Sequence, residues 1–530
     1  MSNFPASLSV SLPELVATTS NLKTGGPNSK FDALVVVSPN TRGGSLNGTP
    51  IESSLLKLQE INSSLGKEGC VTFCDNVPGS RLIYAPTGSI DADYDDVRSY
   101  AEATKKGVQR AIAAGAKAPL LLVEESSKYP NARLVSVLGA LEQIYEPLQY
   151  RQEVQNKGSK VTTIGLYGQN EAETQKILTL ARELSNGLLV ARDIGGGDPE
   201  AMAPPRVANY VQEIFRDSCV SVKVINDKAE LEKGFPLFAA VNRAAHEIER
   251  HRGCVIILTY DGEKVNDDKR NIYLIGKGIT YDTGGADIKA GGIMAGMSRD
   301  KCGAAAVAGF FQVLKTLKPK NIRFVGLLCV ARNSVGENCY VSDEVITSRA
   351  GLRIRIGNTD AEGRMVMTDP LCWAKEDALK YKNTHLMTIA TLTGHACLAV
   401  GPYTAIVDNG PARNENFSLK IQKVGEGIGD MIDLSSLRRE DLKFIKSTGV
   451  GEDLLQCNNA ASSRTPRGHQ FPAAFMMVAA GIDKYGSDSA TPLKYTHFDI
   501  AGAAGELPDT PTGVPILALS RYFFGDQFAF

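Results

Sequence analysis

The sequence predicts an α/β protein in two parts, the second built on a mostly parallel sheet covered by helices on both faces. Three observations carry this expectation. Short runs that are almost wholly apolar, such as PLLLV at 119–123 and VGLLCVA at 325–331, suit strands buried on both sides. These runs alternate with helix-length segments, the order of a layered α/β architecture. The richest apolar window, FPAAFMMVAAGI at 471–482, is about a dozen residues long and fits a buried helix rather than a membrane span.

Taken along the chain, FDALVVVS (31–38) is a strand followed by the polar, Gly-rich loop SPNTRGGSLNGTP. RLIYAPTG (81–88) and PLLLVEE (119–125) are strands on either side of a helix from Asp95 to Ala114. VTTIGLYG (161–168) is a strand and Glu171 to about Arg192 a helix, ended by the breaker cluster RDIGGGDPEAMAPPRV. That cluster is the best boundary and divides the chain into 1–170, a connecting helix 171–192, and 193–530. Beyond it, VIILTY (255–260) and IYLIG (272–276) are strands, the second stopping at Gly276. A small-residue helix follows from Ala304 to Leu317, then the strand IRFVGLLCVA (322–331) and a helix from Asp369 to Tyr381. HLMTIATLTG (385–394) and HFDIAG (497–502) supply late strands before a final helical stretch. In such sheets, functional residues gather where strands end and loops begin.

Composition removes several functions. With Lys+Arg 58 against Asp+Glu 59, the net charge is −1, and no global field favours nucleic acid or an anionic membrane. The opening MSNFPASLSVSLPELVATTS lacks a basic region followed by an unbroken apolar stretch, so no secretory signal is expected. The 10 cysteines include no CxxC pair, and reduced thiols in a cytoplasmic protein are the expectation, with Cys329 and Cys372 in the core. His246 and His251 bracket an H-E-x-x-x-H string, but residues five apart on a helix point about 140° apart and cannot share one metal. A surface helix is expected there. Trp373, the only tryptophan, is expected to pack in the core, and His395 and Cys397 to be structural.

The chemistry concentrates in three blocks. IGKGITYDTGG (275–285) meets neither the phosphate-loop nor the dinucleotide pattern. It leaves Lys277 and Asp282 beside glycines that let the backbone turn tightly. Eighteen residues after Asp282 comes Asp300, and RIGNTDAEGRMVMTD sets Asp360, Glu362 and Arg364 at alternate positions, which in extended backbone project to one side. Four converging carboxylates repel one another by several kcal/mol unless cations neutralise them. A lysine among them is a counter-ion, or a ligand once its amine is neutral. From spacing alone, a solvated acidic patch and a dinuclear centre both remain open.

GKGITYDTGG, Lys289, MSRDKCGAAA (297–306) and NTDAEGRMVMTDPL (358–371) resemble the signature blocks of the leucyl aminopeptidase (cytosol aminopeptidase) family, and ATLTG (390–394), HFDIAG and TGVP (512–515) follow in family order. The resemblance covers roughly 190–530. The first 170 residues match only in general α/β character, consistent with the family's divergent, macro-like N-terminal domain. The resemblance implies one metal held by Asp282, Asp360 (also through its carbonyl) and Glu362, and a second by Lys277, Asp282, Asp300 and Glu362. Zinc is usual, with manganese, magnesium or cobalt at the exchangeable site. The implied reaction is release of N-terminal residues from short peptides by attack of a water activated between two metals. Lys289 is then placed to stabilise the oxyanion, and Arg364 to hold a bicarbonate that acts as general base. Met297 matches a position lining the pocket for the first side chain, suggesting Leu- or Met-like substrates, with plain core packing as the alternative. Leu392 and Gly394 match the segment whose backbone anchors the substrate. The resemblance also implies a homohexamer, two stacked trimers enclosing the sites. A catalytically weak hexameric binding or scaffold protein is the alternative. Neither a nucleic-acid nor a membrane partner is expected. Three departures stand out. Asp287 replaces a small polar residue and adds negative charge near Lys289; Lys301-Cys302 replaces a small or apolar pair; and the linker reads GGGDPEAMAPP.

Overall fold

The structure, a computed structural model, describes residues 12–19, 30–153 and 161–528. Most of the opening segment considered for a secretory signal lies outside them. Two large sheets organise the chain. The first comprises β1 (Glu14–Thr18), β2 (Ala33–Ser38), β3 (Cys70–Phe73), β4 (Arg81–Pro86), β5 (Pro119–Val123) and β6 (Thr163–Tyr167), in the order β1-β6-β5-β2-β4-β3. All its pairings are parallel except β3 with β4. The wholly buried patterns of β2 and β5 show why their sequences lack polar alternation.

The second sheet contains β7 (Val220–Ile225), β8 (Cys254–Asp261), β9 (Arg270–Asp282) and β10 (Ile322–Asn333). A small separate sheet is made by β11 (Val345–Thr347), β12 (Arg353–Arg355) and, later in the chain, β16 (Leu454–Leu455). The large sheet is completed by β13 (Thr384–Ala390), β14 (Thr404–Asp408), β15 (Ile432–Ser436) and β17 (Lys494–Asp499). Its order is β15-β14-β17-β13-β9-β10-β8-β7, with β17, β13, β9 and β10 parallel at the centre, β14 antiparallel to β17 but parallel to the edge strand β15, and β8 antiparallel to both β10 and β7.

Both faces are covered. Ile272 and Leu274 of β9 enter one core with the helices Glu171–Gly196 and Cys302–Leu317, while Tyr273 and Ile275 enter another with Pro236–His246, Glu362–Ala378 and Gln470–Ala479. The first of these cores is continuous with one face of the N-terminal sheet. Gly276 explains how close the second layer comes: a Cβ there would sit 2.6 Å from Ala304 Cα.

Several elements differ from the sequence expectation. β9 does not stop at Gly276 but runs through Asp282, because β10 continues beside it in parallel register until Asn333 meets Asp282. The helix expected from Asp369 begins at Glu362 and carries Pro370 inside it. The helix expected to end near Arg192 continues to Gly196. His246 ends its helix, His251 lies in the separate turn Glu249–His251, and both are buried rather than on a surface helix. Trp373 is half-buried at the rim of the core. Cys329 and Cys372 are buried as expected. Among the described residues, no helix is long and apolar enough to cross a membrane.

Candidate metal centre

The site assembles where central strands end. Lys277 lies inside β9, and its side chain runs toward the first turn of Glu362–Ala378, where a Cβ on Gly363 would touch Lys277 Cε. Asp282 is the last residue of β9. Asp300 sits in the 3-10 turn Met297–Lys301 that leads into Cys302–Leu317. Asp360 belongs to the 3-10 turn Thr359–Ala361, and Glu362 opens the next helix, where its negative charge faces favourable backbone dipoles.

These residues converge. Lys277 Nζ lies 2.7 Å from Asp300 Oδ1 and 2.8 Å from Glu362 Oε1. Lys289 Nζ is 3.0 Å from Asp282 Oδ2 and forms a tight ion pair with Asp360. Carboxylate oxygens of Asp282, Asp360 and Glu362 all lie within 4.8 Å of one another. Only Asp360 is substantially open, with a third of its side chain exposed, while Glu362 is 1% exposed. Asp300 Oδ2 and Glu362 Oε2 are buried without a hydrogen-bond partner among the described residues. Orphaned carboxylate oxygens in a low-dielectric site call for a cation.

Electrostatics follow from that crowding. Burial, then Asp282 and Glu362, push the Asp360 carboxyl up to about 7 against the pull of Lys289. Burial raises Asp300 well above the carboxylate range, and Glu362 moves the same way for the same reason. Burial alone would lower Lys277, but Asp300, Glu362 and Asp282 outweigh it and hold the amine protonated. Here Lys277 is therefore the counter-ion, and it must release its proton before it can ligate a metal.

Arg364 parts from the expectation. The 358–364 segment is not extended; it passes from a 3-10 turn into a helix. About 100° per residue places Arg364 roughly 200° around from Glu362. Its guanidinium forms no ion pair with Asp360 or Glu362 among the described residues. It donates to the Gln456 carbonyl at 3.0 Å and lies 4.9 Å from the Phe471 ring centroid. Its Nε is buried without a partner among the described residues.

The substrate-side candidates surround this cluster through the backbone. Thr391 accepts from Lys277 Nζ through its carbonyl and donates its hydroxyl to Asp300 Oδ1. Leu392 N and Thr393 Oγ1 donate to Asp499, whose carboxyl burial lifts to about 6, tying ATLTG to HFDIAG. Gly394 N donates to Ser462 Oγ, and Met297 is half-buried at the head of the Asp300 turn. His395 takes a structural role, its Nδ1 2.8 Å from Nδ1 of His469.

Sequence reasoning missed the supports. Asn333 Nδ2 donates to Asp282 Oδ1 and to the Thr359 carbonyl, and the buried Tyr340 hydroxyl donates to the same carbonyl. Asn333, a polar residue ending an apolar strand, was the one signal available.

Comparison with known proteins is consistent with this arrangement. Residues 189–520 match the family model described as the cytosol aminopeptidase family, catalytic domain. A Caenorhabditis elegans protein, named only provisionally as an aminopeptidase, is 43% identical over 517 residues, covering 96% of this chain and 98% of its own. The cytosol aminopeptidase of Pseudomonas aeruginosa strain PAO1 is 28% identical over 520 residues, covering 96% and 97%. The solved structure of the bottromycin maturation enzyme BotP in complex with Mn shares the fold, with a TM-score of 0.75 and 19% identity over 94% of this chain and 99% of its own. The chain belongs to the cytosol (leucyl) aminopeptidase family of metal-dependent peptidases.

Proposed function

We propose that this chain is a leucyl-type aminopeptidase that removes N-terminal residues, Leu- or Met-like in preference, from short peptides with the help of two divalent cations. One observation carries the reading: four carboxylates and two lysines share one pocket in which Asp300 Oδ2 and Glu362 Oε2 have no hydrogen-bond partner among the described residues. Asp282, Asp360 and Glu362 would hold one cation, and Lys277, Asp282, Asp300 and Glu362 the other. Such cations supply Lewis acidity toward a carbonyl and lower the pKa of water. The oxygen-rich donor set suits zinc with manganese, magnesium or cobalt as substitutes, and the Mn complex of the similarly folded BotP supports that tolerance.

The chain's own groups then divide the work. Lys289, freed from Asp282 and Asp360 when cations take those carboxylates, offers an ammonium to the oxygen on which charge develops. Arg364 keeps a buried N–H available for an anion such as bicarbonate, which would accept a proton as general base. Met297 lines the first side-chain pocket, while the backbone around Leu392 and Gly394 orients the peptide. We also infer a division into 1–170, 171–192 and 193–530, a cytoplasmic location and a homohexamer. Similarity to the cytosol aminopeptidase of Pseudomonas aeruginosa supports the cytoplasmic location.

The test is release of p-nitroaniline from Leu-p-nitroanilide. Turnover should vanish on chelation and return with Mn or Zn. Turnover of p-nitrophenyl phosphate alone would overturn the peptidase reading.

A further inference from the structure

We propose that Asp287 is a positioning residue that clasps the Lys289 loop to the Asp360 turn, so that the lysine keeps its place once cations take its carboxylate partners. The inference rests on the aminopeptidase reading above. Asp287 forms no ion pair with Lys289 among the described residues, although it lies only two positions away. Its carboxylate instead points at Thr359. Oδ2 accepts from Thr359 N at 2.7 Å and from Ser342 Oγ at 3.2 Å, and lies 3.1 Å from Thr359 Oγ1. The clasp is reciprocal, since Asp287 N donates to Thr359 Oγ1 at 2.8 Å while that hydroxyl donates to the Gly284 carbonyl at 2.7 Å.

Both clasped segments are held by further hydrogen bonds. On one side, residues 283–289 close on themselves through Lys289 N donating to the Thr283 carbonyl at 2.9 Å. Gly284, at φ 87°, permits that closure, because a Cβ there would lie 2.4 Å from the Asp287 carbonyl. On the other side, Thr359 is fully buried and its carbonyl is held by Asn333 and Tyr340. Asp360 is the next residue.

In this structure, Lys289 also bridges the segments through its own ion pairs with Asp282 and Asp360. A lysine engaged with those carboxylates cannot also face a carbonyl oxygen. When cations claim the carboxylates, the side-chain bridge opens, and the links through Thr359 still fix where Lys289 stands. A small polar residue at 287 would have a shorter reach to the Thr359 amide.

The experiment compares wild type with Asp287→Ala, Asp287→Asn and Asp287→Ser. It measures kcat and KM on Leu-p-nitroanilide, bound Mn per chain, melting temperature, and hydrogen exchange in a peptide containing Thr359. Asp287→Ala should lower kcat by about 10- to 100-fold, the scale of a misplacement near 1 Å. KM should stay within about twofold and metal content unchanged, while Thr359 exchange accelerates. Asn retains an acceptor oxygen and should restore most of kcat and of the protection; Ser should fall between. Wild-type kcat in Asp287→Ala, lost metal in step with lost kcat, or Asn no better than Ala would each overturn the proposal. Should Asp287→Ala fail to fold, Asn and Ser decide by the same criteria. A wild type inactive on every amino-acid amide sinks the peptidase reading instead, and the clasp then stands or falls on Thr359 exchange alone.

Discussion

Lys289 and Asp282 touch in this structure, yet their substitution should separate chemistry from metal binding. Lys289→Met removes the donor to a developing oxyanion while leaving four carboxylates intact. Turnover should fall about 10²- to 10³-fold, the cost of losing one such donor, with metal content preserved by elemental analysis. Asp282→Asn, at the centre of both proposed ligand sets, should lose metal and activity together. The Asp360 carboxyl, held up to about 7 by burial and its carboxylate neighbours, sets a pH dependence. Below that value it carries a proton that a cation must displace, and Lys277 adds a second. Apparent Mn affinity should therefore weaken as pH falls through 7, by up to about tenfold per unit for each proton displaced. Calorimetric titration at pH 6, 7 and 8 checks this, and a flat profile would contradict the assignment.

At the scale of elements, the helix Glu362–Ala378 does two jobs. Its first residue faces the candidate metal centre, and about two turns later Asp369 accepts from Leu237 N at 2.6 Å and Arg349 N at 2.8 Å, anchoring Pro236–His246. Burial lifts the Asp369 carboxyl to about 7. Because the folded value lies above the unfolded one, this group favours the folded state below about pH 4 relative to higher pH. That advantage is lost as pH rises to 7. Asp369→Asn should destabilise by about 1–3 kcal/mol, since one N–H loses its acceptor, and the gap from wild type should narrow between pH 5 and pH 8 in urea titrations. The sequence departures also meet at this scale. Buried Lys301 donates to the Gly197 carbonyl of the linker at 2.8 Å and to the Ser298 carbonyl, and burial pulls its amine down to about 8. Cys302 packs on Gly195, where a Cβ would lie 2.9 Å from its sulfur. The unusual linker and the unusual pair after Asp300 thus form one contact.

For the whole molecule, the continuous core matters most. Helix Glu171–Gly196 packs on Cys302–Leu317, and apolar residues of both large sheets join one cluster. Asp193, buried in that helix, pairs with Arg151 at 2.6 Å and accepts from Tyr145 and Tyr210. Removing one partner of such a buried pair costs about 3–5 kcal/mol. Calorimetry should therefore show a single cooperative transition rather than one for each sheet, and Asp193→Ala should lower it as a whole. Two separated transitions in the wild type would refute that coupling.

Local chemistry made much of this legible in the sequence. Both-sided burial demands apolar strands, so β2, β5, β10 and β13 could be read directly. Lys277, Asp282, Asp300, Asp360 and Glu362 were nameable from their spaced blocks and the family resemblance those blocks carry, and the fold brings the five together. Tertiary structure alone decided how far β9 extends, because its last residues are strand only through their pairing with β10. It also decided that Arg364 donates to Gln456 rather than pairing with Asp360 or Glu362, that Asn333 and Tyr340 hold the Thr359 carbonyl, and that Asp287 faces Thr359 rather than Lys289. These are contacts between residues up to 92 positions apart, and the direction of a side chain is set by the neighbours that pack around it, which composition and spacing do not encode.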